Sequence, residues 1–329
     1  MKITATGQKE VESKLRLLGV DESYVFHASQ VAAREIESFI GVPLDDYVSA
    51  ISSGITQISS EQANIFESTE YGLGASITSP SLPDSVPAVE SPCTAPTLSL
   101  LSELPPIRNQ GARGTCVAFA TVACYEHHLI KGGGAPPDMS EQYLYWDCKR
   151  KDGMPTTEGT WIRFAASCIN LDGVCQETTW PYNPTIIPGN ESQAPPPPRA
   201  PIEALGFRSP SNRAIPPNSV IDIKAELCAD RCVAFSIPVY NSWYLNNYVK
   251  LTGELGLPFP GEVRVGGHAM CIMGYEDLPA QPEIGGGRFY IRNSWGTSTW
   301  APNSRIAPGY GTIPYAYISR FCTEAYVVE

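Results

Sequence analysis

Seven prolines fall between residues 80 and 106, at positions 80, 83, 87, 92, 96, 105 and 106, among serines and other small residues. Each proline lacks an amide hydrogen and fixes φ, so this stretch can be neither regular helix nor central strand. It reads as an extended connector over residues 74–103 and divides the chain in two. One use for such a segment is a plain linker; the other is a length of chain that lies in a cleft.

On the N-terminal side, residues 1–73 read as a small helical segment. Apolar residues recur at Val11, Leu15, Leu17 and Leu18, then at Val25, Val31, Ala32, Ile36 and Ile40, then at Val48, Ile51 and Ile55. This is near-helical spacing, with Gly41-Val42-Pro43 as a stop between the second and third runs. The unit is too small to hold much core alone and is expected to pack on the rest.

Residues 104–329 are mixed. Helices are expected over Thr115–Ile130, Ser140–Cys148 and Gly159–Leu171, with a short one after Val220; Pro195–Pro198 is a surface loop. Strands are expected over Val233–Val239, Ala269–Tyr275, Arg288–Asn293 and Thr323–Val328. Helices early and strands late give an α+β class with two segregated halves.

Composition narrows the function. The 329 residues are 43% hydrophobic and 17% charged, enough for a packed core. A net charge of -11 argues against nucleic-acid and anionic-membrane partners, which need a basic face. No run of 18 apolar residues predicts a membrane span, and the charged first 25 residues lack a signal core, so the chain is expected to be cytoplasmic. Ten cysteines and four histidines occur without zinc-ligand spacing, so neither a metal nor any other cofactor is expected.

Position selects among the ten thiols. Cys116 follows Arg113-Gly114-Thr115 and opens a predicted helix, where unpaired N–H groups and the macrodipole favour thiolate, the nucleophilic form. Of the four histidines, His127 and His128 stand eleven and twelve residues along the same helix, about 16–18 Å away, and are expected to be exposed or partly buried. His27 belongs to the N-terminal segment. His268, in Gly266-Gly267-His268 at a strand start, remains as the base. Asn293, at the end of Phe289–Arg292, can accept from one imidazole nitrogen and fix the ring, with Trp295 screening that bond. Gln110, six residues before Cys116, can supply a side-chain N–H to an oxyanion beside the Cys116 amide.

Gln110-Gly111, Gly114-Thr115-Cys116-Val117-Ala118-Phe119, Gly267-His268-Ala269 and Asn293-Ser294-Trp295-Gly296 resemble the active-site blocks of papain-like cysteine peptidases, in the family's order. Met139–Leu144 and Trp180-Pro181-Tyr182 resemble two further blocks, and the likeness covers residues 104–329. It implies a two-lobed fold, with a helical left lobe and a β-barrel-like right lobe. It also implies hydrolysis of protein or peptide substrates through a thioester, and a groove lined by Gly159, Thr160, Gly267 and Trp295. Peptide ligation with the same residues and a non-catalytic binding role are the alternatives. The sequence departs from the family at both partners of a family disulfide. Arg113-Gly114-Thr115-Cys116-Val117 stands for Cys-Gly-Ser-Cys-Trp, an arginine-bearing variant that resembles bacterial branches. Thr157-Glu158-Gly159-Thr160-Trp161 stands where the family has Gly-Cys-Asn-Gly-Gly, and the joint loss suits a reducing compartment. Residues 277–287 form an insertion near the cleft rim, and Trp243 or Tyr244 is expected at the rim of the specificity pocket. The likeness to family zymogens leaves residues 1–103 with two readings: a prosegment occupying the cleft in cis, or a permanent accessory domain.

Overall fold

The structure, a computed structural model, describes residues 71–77, 94–131, 138–259 and 262–329. The helices expected between residues 10 and 58, with His27, lie outside the described residues, as do connector prolines 80 to 92.

Helix α1 (Cys116–Lys131) runs through the middle of the molecule. Its first twelve residues, Cys116 to His127, are all buried, as befits a helix apolar on every face. His127 is therefore a core residue at 1% exposure; the expectation of an exposed or partly buried residue fails because the sheet covers that face, while His128 is half-buried. Helices α2 (Glu141–Lys151) and α3 (Ile162–Leu171) pack on α1 to form one lobe. Ser140 caps α2 by accepting from the Tyr143 amide, and Lys149, Arg150 and Lys151 sit where the macrodipole favours cations. The start of α3 is capped from the other lobe: Glu324 accepts from the Ile162 amide at 2.8 Å, and burial raises that carboxyl to about 7.

The other lobe is an antiparallel sheet ordered β2 (Asn212–Ala214), β7 (Glu324–Val328), β3 (Val233–Tyr240), β4 (Arg264–Asp277), β5 (Gly287–Arg292) and β6 (Tyr310–Pro314). The short strand β1 (Thr97–Ser99) pairs with the far end of β4. It lies inside the proline-rich connector but obeys the expected limit, since it is an edge piece entered from Pro96. There the Pro96 carbonyl accepts from the Asp277 amide. Gly274 of β4 permits this approach; a Cβ there would meet the Leu98 carbonyl oxygen at 2.4 Å.

Short helix α4 (Ala200–Ala204) packs on the chain after α3, at Gly173 and Thr179, while α5 (Val220–Cys228), α6 (Asn241–Leu245), α7 (Asn247–Thr252) and α8 (Tyr315–Phe321) complete the sheet lobe. One apolar core continues from α1 through β3, β4 and β5. Among the described residues eight cysteines are free, all buried, whereas Cys228 is disulfide-bonded. No described helix is long and apolar enough to cross a membrane.

Candidate active site

The site forms where the chain before α1 pairs with the chain after β5. Asn109 bridges Trp295, the Gln110 amide donates to the Ser294 carbonyl at 2.8 Å, and the Gly296 amide donates to the Arg108 carbonyl. These bonds bring Gln110 and Asn293, far apart in sequence, to one place. Ser294 then orients the glutamine: its hydroxyl donates to Gln110 Oε1 at 2.6 Å, leaving Nε2 to donate outward.

His268 lies on β4, fully buried. Its Nε2 is 2.8 Å from Asn293 Oδ1, the atom that also accepts from the Ser294 amide at 2.8 Å. An oxygen that accepts a backbone N–H accepts from the imidazole too, so Nε2 carries the ring proton and Nδ1 the lone pair. Nδ1 is buried without a hydrogen-bond partner. Trp295 stacks on the imidazole, centroids 4.4 Å apart, and keeps water from the Asn293 bond. Trp243 presents edge to face at 6.5 Å and is 3% exposed. It is a wall behind the histidine rather than the pocket rim expected of it; the Tyr244 side chain lies outside the described residues.

The Cys116 sulfur faces backbone N–H groups of Ala269, Gly74, Val117 and Cys116 itself. Ala269 directly follows His268, so the sulfur lies against the β4 residue next to the histidine, where α1 abuts β4. Those N–H groups pull the thiol pKa down, as expected at a helix start, but burial outweighs them and pushes it up to about 11. Burial likewise lowers His268 to about 4, against the raising effect of Asn293. At neutral pH the site thus holds a neutral thiol and a neutral imidazole, and the expected thiolate does not form in this state.

Much of that burial comes from residues 71–77. Tyr71 stacks on Trp295 at 4.7 Å. The Gly72 amide donates to the Gly111 carbonyl, and the Gly72 carbonyl accepts from Gln110 Nε2 at 3.0 Å. Ala75 donates to the Gly267 carbonyl at 3.1 Å, while Thr160 uses both backbone groups, donating to Gly74 and accepting from Ser76 at 2.9 Å each. Gly159 contributes by lacking a side chain: its φ is +83°, and a Cβ would lie 2.5 Å from the Gly74 carbonyl oxygen. Its own N–H and carbonyl turn inward to Tyr145 and Lys149. Of the eight residues singled out in the sequence, Gln110, Cys116, Gly159, Thr160, Gly267 and Trp295 meet residues 71–77, and His268 and Asn293 are bonded to each other beside Trp295.

Residues 100–307 match the family described as papain family cysteine protease. The chain belongs to the papain family of cysteine proteases. It is 29% identical over 220 residues to an uncharacterized peptidase C1-like protein of Acanthamoeba polyphaga mimivirus, covering 64% of this chain and 65% of that relative. The chain thus spans just under two thirds of the viral relative's length. Xylellain, a cysteine protease from Xylella fastidiosa, superposes with a TM-score of 0.65 at 25% identity, over 79% of this chain and 97% of that one. The ragweed pollen cysteine protease Amb a 11, in its proform, gives 0.53 at 17% identity over 74% and 70%. The expected α+β, papain-like two-lobed fold is what these structures share with the chain.

Within this papain-family site, Arg113 explains how the wall holds without the family disulfide. Its guanidinium donates to Gln142 Oε1 at 2.8 Å, to the Asn183 carbonyl at 2.6 Å and to the Glu191 carbonyl at 2.9 Å. It also lies over the rings of Tyr145 and Tyr182, at 5.5 and 5.1 Å. A planar five-donor cation serves three acceptors from separate segments and packs on two aromatic faces. Lys149 does a similar job beneath the groove, donating to Asp152 and to the Gly159 carbonyl. Arg113 was visible in the sequence as a departure, but its three acceptors were not. Ser294 was quoted only as a neighbour of Asn293.

Proposed function

We propose that the chain is a cysteine endopeptidase that hydrolyses peptide bonds through a thioester acyl-enzyme, and that it is made as a zymogen. The observation that carries the catalytic reading is the histidine: Nε2 is committed to Asn293, Nδ1 is left with a free lone pair, and the next residue along β4, Ala269, turns its N–H to the Cys116 sulfur. Once uncovered, His268 Nδ1 takes the Cys116 proton and the sulfur attacks a peptide carbonyl. Gln110 Nε2 and the Cys116 amide hold the developing oxyanion. Nδ1–H then protonates the departing amine as the C–N bond breaks, leaving a thioester. Water, deprotonated by His268, attacks that thioester, and the sulfur departs with a carboxylic acid product.

The zymogen reading rests on residues 71–77. The carbonyl gripped by Gln110 is that of Gly72, yet the backbone group at the sulfur belongs to Gly74, two residues on. The carbonyl held by Gln110 and the N–H facing the sulfur come from different peptide units, which supports a segment that occupies the groove in cis without presenting a bond for cleavage there. A bacterial-type branch of the family is supported by Arg113 in place of the half-cystine and by the likeness to Xylellain, with the viral relative showing that such sequences are not confined to bacteria.

The test is to incubate the full-length wild type and Cys116→Ala in reductant and follow mass, peptide hydrolysis and labelling by a thiol-reactive probe together. The expected outcome is N-terminal shortening and rising hydrolysis in the wild type alone. Full hydrolysis by an uncut wild type would remove the zymogen reading. A shortened protein that neither labels at Cys116 nor cleaves peptides would remove the peptidase reading.

A further inference from the structure

The far end of α1 holds a second constellation with no part in the chemistry above. His127 is 1% exposed, and its Nε2 is buried without a hydrogen-bond partner. That nitrogen points between two carboxylates: Glu103 Oε2 lies 3.3 Å away and Asp230 Oδ1 3.9 Å away. Both are within ion-pair reach, but neither is aligned to accept a hydrogen bond from the ring. The three atoms lie within 4.8 Å of one another. They come from separate places: the turn after β1, the helix of the nucleophile, and the connection between α5 and β3, where Asp230 adopts a left-handed φ of 60°.

An aromatic nitrogen left unsatisfied in a core is a cost without return unless something uses its lone pair. Two carboxylate oxygens converging on the same point exclude a neutral or anionic occupant and favour a cation. One imidazole with two carboxylates is a ligand set that zinc and similar divalent transition ions accept, at about 2.0–2.2 Å per bond. The side-chain exposures, 2% for His127 against 39% for Glu103 and 42% for Asp230, leave the carboxylate side open to solvent, so an ion can enter and keep water in its remaining positions. Lys131 takes the other oxygen, Asp230 Oδ2, at 2.7 Å, and so leaves Oδ1 for the ion while holding the carboxylate in place.

We propose that Glu103, His127 and Asp230 form a binding site for a divalent transition-metal ion, zinc by the chemistry of its ligands. The site is structural. His127 is eleven residues from Cys116, about 16 Å along the helix, too far to touch the reacting atoms. A bound ion ties the end of the connector and the α5–β3 turn to the helix that carries the nucleophile. Local spacing rules do not find it, because its three ligands share no segment.

The experiment uses the full chain carrying Cys116→Ala, which removes a thiol that would itself take zinc, and titrates it calorimetrically with zinc chloride. Two further variants, Glu103→Gln and Asp230→Asn, alter half-exposed side chains and keep the fold. The expected result is one equivalent of zinc bound by the parent, with affinity at least tenfold weaker in each variant. Tm should rise by about 5 °C at saturating zinc in the parent and not in the variants. Cobalt substituted for zinc should give no thiolate-to-metal charge-transfer absorption. Absence of binding, binding that either variant leaves intact, or a thiolate band would each overturn the proposal.

Discussion

The two walls of the cleft hold their catalytic groups by different means. The wall built on α1, α2 and α3 is lined with backbone. Gly114, Gly159 and Thr160 meet residues 72–76 through close approach or main-chain bonds, and charged side chains, Arg113 and Lys149, brace it from behind. The wall built on β4 and β5 is aromatic: Trp295 and Trp243 pack on His268, and Trp300 packs edge-on against Trp295. The difference follows from what each wall must do. A surface that recognises any peptide has to read main chain, and a proton carrier has to keep one ring orientation away from water. Position is thus set by polar bracing on one side, and protonation by exclusion of solvent on the other.

The sharpest way to break this division is to remove a reacting atom from each wall. On a peptide substrate, Cys116→Ala and His268→Ala should each lower kcat/KM on the order of 10⁴-fold or more, and the double variant should lose little further, because the two act as one unit. Gln110→Ala should cost roughly 10²–10³-fold in kcat, about 3 kcal/mol of transition-state stabilisation, with KM nearly unchanged; steady-state kinetics on a peptide substrate checks both.

Acidity tests the solvent-excluding wall. Covered, His268 titrates near 4; uncovered, it returns towards 6.5. Its folded pKa is depressed, so it favours the covered form above pH 6.5, and that preference is lost as pH falls through 4, at most about 3 kcal/mol. The thiol works in the opposite sense: raised from 9.0 to about 11 by burial, it favours the covered form below 9 and loses that contribution as pH rises through 11. Labelling of Cys116 in the uncut chain should be slowest between pH 6.5 and 9 and faster on both sides, while a peptide thiol shows only the alkaline rise. A uniform rate below pH 9 would contradict this account. The smallest effect belongs to the braced wall. Arg113→Met leaves the buried Gln142 Oε1 without its donor, removes bonds to two part-buried carbonyls, and should cost about 3 kcal/mol of stability, a fall in Tm of roughly 10 °C, with little change in the pH profile.

The sequence showed most plainly what local rules fix. Helix α1 was expected over Thr115–Ile130 and runs Cys116–Lys131; β3 was expected over Val233–Val239 and gains only Tyr240. The asparagine was legible because a strand end before a tryptophan is a local pattern. The histidine came by elimination, and the strand start expected at it fails, because β4 begins at Arg264 and carries Gly266 and Gly267 within it. Strand β6 escaped because Tyr310–Pro314 is buried throughout, so it shows no alternation, and it follows a loop rich in proline and glycine. Helices α6 and α7 are five and six residues long, too short for periodicity to register. The protonation of Cys116 was out of reach for a different reason: it depends on burial beneath a segment some forty residues upstream, whose Gly74 lies at the sulfur. His127 was misjudged because no pattern along α1 says which neighbour covers its far end.

Arg113 has a practical consequence for handling the molecule. A thiol enzyme is stored and assayed with added mercaptans, which exchange with any accessible S–S link. The guanidinium brace offers them nothing to exchange with: its three hydrogen bonds go to two main-chain carbonyls and an amide oxygen. Dithiothreitol concentrations that regenerate an oxidised nucleophile should therefore leave the geometry of the backbone-lined wall as it was.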